Sequence, residues 1–151
     1  MAMANGCQFP DDLLYTIDET KNVFVWARDD GDGNFTIGMV AVAAAMAGRL
    51  VSYTPKKVGA VIGRFKSVAV IESSKWVGPV PTPLTGEVVA VNEELRRTPA
   101  LANDDPYGRG WIAKIKPTNL DAERGDLLSA ADAAQNMKGY IDKKKIVCPT
   151  P

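Results

Sequence analysis

The chain has 151 residues, 46% apolar and 24% charged, which is enough material for one packed domain. Its 18 basic and 18 acidic side chains cancel, so it lacks the basic excess typical of proteins that bind nucleic acid. It contains no histidine, which excludes the usual serine–histidine and cysteine–histidine catalysis and most zinc sites.

Nothing in the chain predicts a membrane partner. No run of 18 apolar residues is present, and the N-terminus lacks the basic and apolar regions of a signal peptide. We therefore expect a cytoplasmic protein that holds no metal, and any chemistry is expected to rest on carboxylates, lysines, thiols or a covalently attached group.

The first third of the chain predicts an arm, a hairpin and a short helix. Residues 1–14 mix Gly, Pro, Asn and Asp with little periodicity, which predicts a loose N-terminal arm. The runs Val23–Ala27 and Phe35–Met39 predict a hairpin, because the Asp, Gly and Asn residues between them tolerate positive φ. The alanine-rich run Val40–Gly48 predicts a helix of about two turns that ends at its glycine.

The middle of the chain predicts strands. Ser67–Glu72 is β-branched and apolar, which is typical of a buried strand. Pro79, Pro81 and Pro83 are then expected to block regular strand pairing. Further segments with strand character are Leu50–Thr54, Val58–Gly63 and Gly86–Asn92, and Glu93–Arg97 is predicted to form one helical turn.

The last third predicts one more strand and a helix. Trp111–Lys116 alternates apolar and polar residues, as a half-buried strand does. The apolar and alanine residues of Leu127–Ala134 suggest a helix that Met137–Ile141 extends. Many short strands at even spacing favour a mainly β fold, a small barrel or sandwich, with short flanking helices.

Four motifs in order resemble the family of glycine cleavage system H proteins. They are Glu72-Ser73-Ser74-Lys75, the Pro-x-x-Gly-x-Val of Pro83–Val88, the Asn-Glu-x-Leu of Asn92–Leu95, and Pro99–Trp111, which contains Asp-Pro-Tyr-Gly. One Glu-Ser-x-Lys motif would be weak evidence, but four within about 40 residues are specific.

The resemblance implies a barrel-sandwich hybrid fold over residues 15–135, with the arm 1–14 before it and a C-terminal tail 136–151 after it. It implies covalent lipoate on Lys75, at the tip of a tight hairpin, with Glu72, Ser73 and Ser74 as part of the attachment site. Lipoate-attaching enzymes would be partners, and Glu72 would contribute to their recognition. A carrier that shuttles between enzymes is expected to be a monomer.

Departures from the family pattern bear on the carried group. The usual His-Glu-Trp element reads Phe24-Val25-Trp26 here, and the usual Leu-Gly-Asp reads Ala47-Gly48-Arg49, with a base in place of the acid. Arg49 is a candidate for sheltering the arm, where it would repel an ammonium. Trp76 replaces the usual alanine after the lysine, and could shelter the arm or contact a partner.

These departures resemble the lipoate-binding proteins that work with a heterodisulfide-reductase-like complex in sulfur oxidation. The main hypothesis is therefore a carrier of sulfur intermediates. The alternative is an aminomethyl carrier that serves the glycine cleavage enzymes, and a second alternative is an unmodified binding scaffold.

Cys7 and Cys148 lie outside the matched core, and the sequence leaves three interpretations open. They could be two free thiols, as a reducing cytoplasm favours, or form a terminus-to-terminus disulfide. They could also be redox thiols, one of which exchanges with the lipoyl sulfurs.

Overall fold

The computed structural model describes residues 1–148 as eleven strands, five α-helices and one 3₁₀ turn. The strands are β1 (Ala2–Ala4), β2 (Cys7–Phe9), β3 (Leu14–Asp18), β4 (Val23–Asp29), β5 (Phe35–Met39), β6 (Leu50–Pro55), β7 (Val61–Ile62), β8 (Ser67–Ser73), β9 (Val77–Pro81), β10 (Gly86–Val91) and β11 (Ala113–Pro117). The helices are α1 (Ala41–Ala47), α2 (Glu93–Arg97), α3 (Leu101–Asp104), α4 (Leu120–Glu123) and α5 (Ala130–Lys144), and the 3₁₀ turn is Arg124–Asp126.

The strands form three antiparallel sheets. The six-stranded sheet has the order β3-β4-β5-β11-β10-β7, the three-stranded sheet has the order β6-β8-β9, and β1 pairs with β2 alone. The mainly β fold with short helices that the sequence predicts is confirmed.

Local sequence explains the hairpin and helix that lead to the site. The loop between β4 and β5 contains Gly31 and Gly33 at φ 81° and 90°, a backbone conformation that glycine adopts without strain. Helix α1 follows β5 directly and ends at Gly48, which has φ 81°. Both elements are confirmed within a residue or two of their predicted bounds.

The prediction that prolines block pairing is wrong for β9. This strand pairs with β8 over its whole length, with Pro79 opposite Val70 and Pro81 opposite Ser67. Proline is tolerated because β9 is the edge of its sheet, so half of its N–H groups need no partner strand. Pro83 lies beyond the end of β9.

The loose arm predicted at residues 1–14 is also contradicted. Asn5 and Gly6 have φ 49° and 86° and turn the chain between β1 and β2. Ala4, Cys7 and Phe9 are fully buried, so this short hairpin is part of a core. Its strands are too short to show a clear period in the sequence, which is why the pattern suggested a loop.

The predicted boundary between the domain and a C-terminal tail at residue 136 is wrong. Helix α5 runs through that boundary, and Met137 and Ile141 are buried at 0% and 2% exposure. Residues 149–151 of the predicted tail lie outside the described residues.

The buried side chains form two clusters on opposite sides of β4. The barrel cluster lies between the two larger sheets and includes Val25, Ile37, Ile71, Leu84 and Ile115. The terminal cluster joins the β1–β2 hairpin to α1, α5 and the outer side of β4, and includes Phe9, Tyr15, Trp26, Met137 and Ile141. Alternate residues of β4 serve the two clusters because side chains alternate along a strand.

Over residues 1–148, none of the helices has the length and apolar character needed to cross a membrane. The same residues contain no group of three or more His, Cys, Asp or Glu side chains that could hold a metal ion.

Candidate functional site

Lys75 occupies the tip of the hairpin between β8 and β9. The Ser73 amide donates to the Trp76 carbonyl oxygen at 2.8 Å, which leaves Ser74 and Lys75 as the two corner residues of the turn. Both corner residues are exposed. The structure therefore places Lys75 where a modifying enzyme can reach it.

Ser73 anchors this turn to helix α1. Its side chain is 4% exposed, and its hydroxyl donates to the Ala47 carbonyl oxygen at 2.6 Å. The same hydroxyl oxygen accepts from the Lys75 amide at 3.3 Å. Ser73 thus ties the lysine-bearing turn to the last residue of α1, which is a positional role that the motif alone did not indicate.

The Lys75 side chain passes across Gly48, just after α1. A Cβ built on Gly48 would lie 2.9 Å from the Lys75 Cε atom, closer than real Cβ contacts. Gly48 therefore serves two purposes, because its positive φ ends α1 and its missing side chain leaves a path for the lysine.

This path leads to a cavity of about 360 Å³ beside the hairpin, which we call the arm cavity. Its walls come from β4, β5, α1 and β9, and are apolar apart from Asn22 and the lysine itself. The lining residues are Asn22, Phe24, Val25, Met39, Ala43, Met46, Ala47, Lys75, Trp76, Pro79, Val80 and Pro81.

Trp76 forms the wall next to Lys75. Its indole lies flat on Gly78, where a Cβ would be 2.2 Å from the Trp76 Cζ2 atom. The ring also packs against the barrel cluster and is half-buried. The structure brings Trp76 to the cavity, as the sheltering alternative expects.

Glu72 lies on the other face of the hairpin. Its side chain is exposed, and it sits opposite the exposed Val77 in the β8–β9 register. No hydrogen bond or ion pair of Glu72 with another side chain is found among the described residues. Its role in recognition by a lipoate-attaching enzyme stays a prediction.

Arg49 is not part of the arm cavity. Two of its guanidinium nitrogens donate to the two carboxylate oxygens of Asp104, at 3.0 and 3.2 Å. This hydrogen-bonded pair raises the pKa of Arg49 above its ordinary value, although the side chain is 67% exposed. The predicted shelter by Arg49 is therefore wrong, because a carboxylate on α3 draws the guanidinium away from the lysine.

The arm cavity depends on residues that the sequence did not single out. Four of its lining residues come from three separate elements and one loop. They are Asn22, Phe24, Met39 and Met46. Each of them reads as an ordinary strand, turn or helix residue, so no local signal marks them.

Cys7 and Cys148 form a disulfide that spans 141 residues of sequence. The structure therefore has the bridge in place of two free thiols, and exchange of a thiol with the lipoyl sulfurs stays a prediction. Cys7 is fully buried in the terminal cluster, while Cys148 is half-buried at the edge of a second pocket of about 400 Å³.

Tyr107 connects this second pocket to α1. Its hydroxyl donates to the Gln8 carbonyl oxygen at 2.6 Å and accepts from the Ala41 amide at 3.0 Å. Burial raises the pKa of the Tyr107 phenol well above its usual value, so the group stays protonated and keeps donating. Tyr107 thus links β2 to the first turn of α1.

Comparison with known proteins agrees with this geometry. The chain matches the glycine cleavage H-protein family over residues 13–140. It is 57% identical to glycine cleavage system H protein 5 of Aquifex aeolicus over 98% of this chain and 99% of that protein. It is 42% identical to a probable glycine cleavage system H protein 2 of Sulfolobus acidocaldarius, over 98% of this chain and 97% of that one.

A solved structure shows the same fold. The glycine cleavage system H protein of Mycobacterium marinum superposes with a TM-score of 0.71 at 31% identity, and the match covers 84% of this chain and 97% of that one. Since the family match spans far more than half of the chain, this protein belongs to the glycine cleavage H-protein family.

Proposed function

We propose that this protein is a lipoyl carrier whose lipoate is attached to Lys75. The observation that carries the proposal is the position of Lys75, at an exposed two-residue turn with its side chain directed across Gly48. Membership of the H-protein family supports it, because members of this family carry covalent lipoate.

The residues around Lys75 fit such an arm. Lipoate is a methylene chain that ends in a dithiolane ring, and it contains no charged group once its carboxyl is joined to lysine. The arm cavity offers it aliphatic walls, the Trp76 ring and the thioethers of Met39 and Met46, which make favourable contacts with soft and aromatic groups.

The bound group would supply the redox and carrier chemistry, while the protein supplies position and shelter. Ser73 fixes the turn from which the arm starts, and Gly48 keeps its path clear. Trp76 and the apolar side chains of the walls would cover part of an arm that lies in the cavity.

The attachment is tested by the intact mass of protein isolated from cells that lipoylate their own proteins. We expect one lipoyl increment on the wild type and none on Lys75→Arg, because an arginine cannot form the amide. Lys66→Arg, at the exposed turn before the other end of β8, is the matched control and should retain the increment. A plain mass for the wild type would disprove the carrier proposal and leave an unmodified scaffold.

The relatives favour aminomethyl carriage as the function of the arm. The similar proteins of A. aeolicus and S. acidocaldarius both carry the name glycine cleavage system H protein. On this proposal the partners are the glycine cleavage enzymes and a lipoate-attaching enzyme.

One observation favours the second candidate, carriage of sulfur intermediates for a heterodisulfide-reductase-like complex. Among the described residues that line the arm cavity there is no carboxylate. A glycine-derived ammonium would lose its hydration there without a counter-charge, which is costly. A neutral or anionic sulfur group has no need for a carboxylate.

Loading with labelled glycine distinguishes the two candidates. The lipoylated protein is mixed with glycine decarboxylase, and label on the protein is measured beside a glycine cleavage H protein from an established system. Loading at a comparable rate supports the aminomethyl carrier and counts against the sulfur carrier. Loading about tenfold slower or worse, the effect of roughly 1.4 kcal/mol on the barrier, favours the sulfur carrier.

A further inference from the structure

The second pocket gives the two sulfurs of the disulfide unequal access. Its lining includes the half-buried Cys148 together with Gln8, Tyr107 and three alanines of α1. Cys7 is 0% exposed and packs inside the terminal cluster. Cys148 therefore lines this pocket and Cys7 does not, so a reagent in the pocket meets Cys148 first.

We propose that Cys148 is a thiol-exchange site, reached by a low-molecular-weight thiol through the second pocket. About 400 Å³ is enough room for such a molecule, since small-molecule sites commonly begin at about 300 Å³. The site is separate from the proposed arm chemistry and does not depend on Lys75 being modified.

The external thiol supplies the electrons that reduce the disulfide. The thiolate attacks the Cys148 Sγ atom, a new S–S bond forms there, and the bond to Cys7 breaks, so the Cys7 sulfur leaves with the electron pair and takes a proton. A second thiolate attacks the outer sulfur of the mixed disulfide and releases Cys148. The external thiol is oxidised to its own disulfide, and both cysteines are reduced. In thiol–disulfide exchange, the accessibility of each sulfur helps to decide which of the two is attacked.

Helix α1 keeps this site apart from the arm cavity. Ala43, Met46 and Ala47 face the arm cavity, while Ala41, Ala44 and Ala45 face the second pocket. The helix is thus a wall shared by the arm cavity and the second pocket. A substitution at a residue that lines one cavity places its new side chain in that cavity and not in the other.

The experiment exposes the folded, oxidised protein to 2-mercaptoethanol, quenches it with acid at short times and maps the adduct by peptide mass spectrometry. We expect the mixed disulfide on Cys148 and a free thiol on Cys7. A thiol attached to a large polymer should react at least about tenfold more slowly, because it cannot enter the pocket.

Matched variants on the two faces of α1 test the route. Ala45→Leu places a larger side chain in the second pocket and should slow the adduct about tenfold, which corresponds to roughly 1.4 kcal/mol. Ala43→Leu makes the same change on the arm-cavity face and should leave the rate within twofold of the wild type. Thermal unfolding of both variants shows whether each is folded.

Several results would overturn the proposal. One is an adduct on Cys7, and another is equal slowing by the two leucine variants. A third is a reaction with the polymer thiol as fast as with 2-mercaptoethanol, which would mean exchange through unfolding. Free thiols at both cysteines in the untreated protein would also overturn it. The polymer comparison remains decisive if a leucine variant does not fold.

Discussion

The barrel cluster and the terminal cluster differ in how the chain brings their residues together. The barrel contains several hairpins between neighbouring strands, such as β4–β5 and β8–β9, and the pair of β5 with β11 joins strands that are distant in the sequence. The terminal cluster joins residues before position 43 to residues after position 129, and a disulfide between Cys7 and Cys148 closes it. The half that presents Lys75 therefore combines local hairpins with long-range strand pairs, whereas the other half rests on closing a long loop.

The largest effect is expected when the disulfide is removed in the double variant Cys7→Ser, Cys148→Ser. A bridge across 141 residues restricts the unfolded chain strongly, and the loop-entropy relation gives roughly 5 kcal/mol for this length. We expect the free energy of unfolding in guanidinium to fall by up to about that amount. A loss below about 1 kcal/mol would show that the terminal cluster holds without its covalent closure.

Two fully buried side chains compare the clusters directly. Ile71→Ala in the barrel cluster and Met137→Ala in the terminal cluster each remove a 0% exposed side chain. Each should lower the free energy of unfolding by about 2–5 kcal/mol, because each leaves a void. Hydrogen exchange should show α5 opening before β8 in Met137→Ala. Simultaneous opening would mean that the two clusters form one cooperative unit.

Two glycines, one in each region, should respond with opposite sign. Gly78→Ala places a methyl group into the Trp76 ring, so we expect a loss of about 1–3 kcal/mol and a change in tryptophan fluorescence. Gly139→Ala in α5 meets open space and should gain about 0.5–1 kcal/mol from helix propensity. Thermal unfolding measures both. Equal effects would contradict the close indole contact at Gly78.

The smallest effect is expected at the anchor of the lysine turn. Ser73→Ala removes the hydrogen bond to the Ala47 carbonyl oxygen and should cost about 1 kcal/mol. The rate of lipoylation should also fall, because the turn is no longer tied to α1. Ser74→Ala, at the exposed corner beside it, is the control for stability and should leave the free energy of unfolding unchanged. Equal behaviour of both variants would remove Ser73 from the positioning role.

The two regions were not equally predictable from sequence. The hairpin of β4 and β5, helix α1 and strand β8 follow from runs of β-branched residues, alanine and turn residues, and Lys75 from an ordered set of motifs. The β1–β2 hairpin was missed because three-residue strands show almost no period. The disulfide was one of three open alternatives, because the sequence does not show whether Cys7 and Cys148 lie close enough in space to form a bond.

At the site, the sequence indicated the residues next to Lys75 in the chain but not those next to it in space. Phe24, Met39 and Met46 reach the arm cavity only through the packing of β4, β5 and α1. Arg49 was a candidate for arm shelter because it stands where the family pattern has an acid, and the structure pairs it with Asp104 from a distant segment. Sequence neighbours share a location, but the direction of a long side chain is decided by its charge partner.

The covalent link between Cys7 and Cys148 also makes a ring of the chain that contains the exposed lysine turn. A protease that cuts at Ser74 or Lys75 would open one bond of this ring and release no fragment. The two pieces would migrate as one molecule on a non-reducing gel and separate only after reduction. A nicked protein would in this way keep its barrel and terminal halves together, and a cut at this exposed turn would become visible only after the disulfide is reduced.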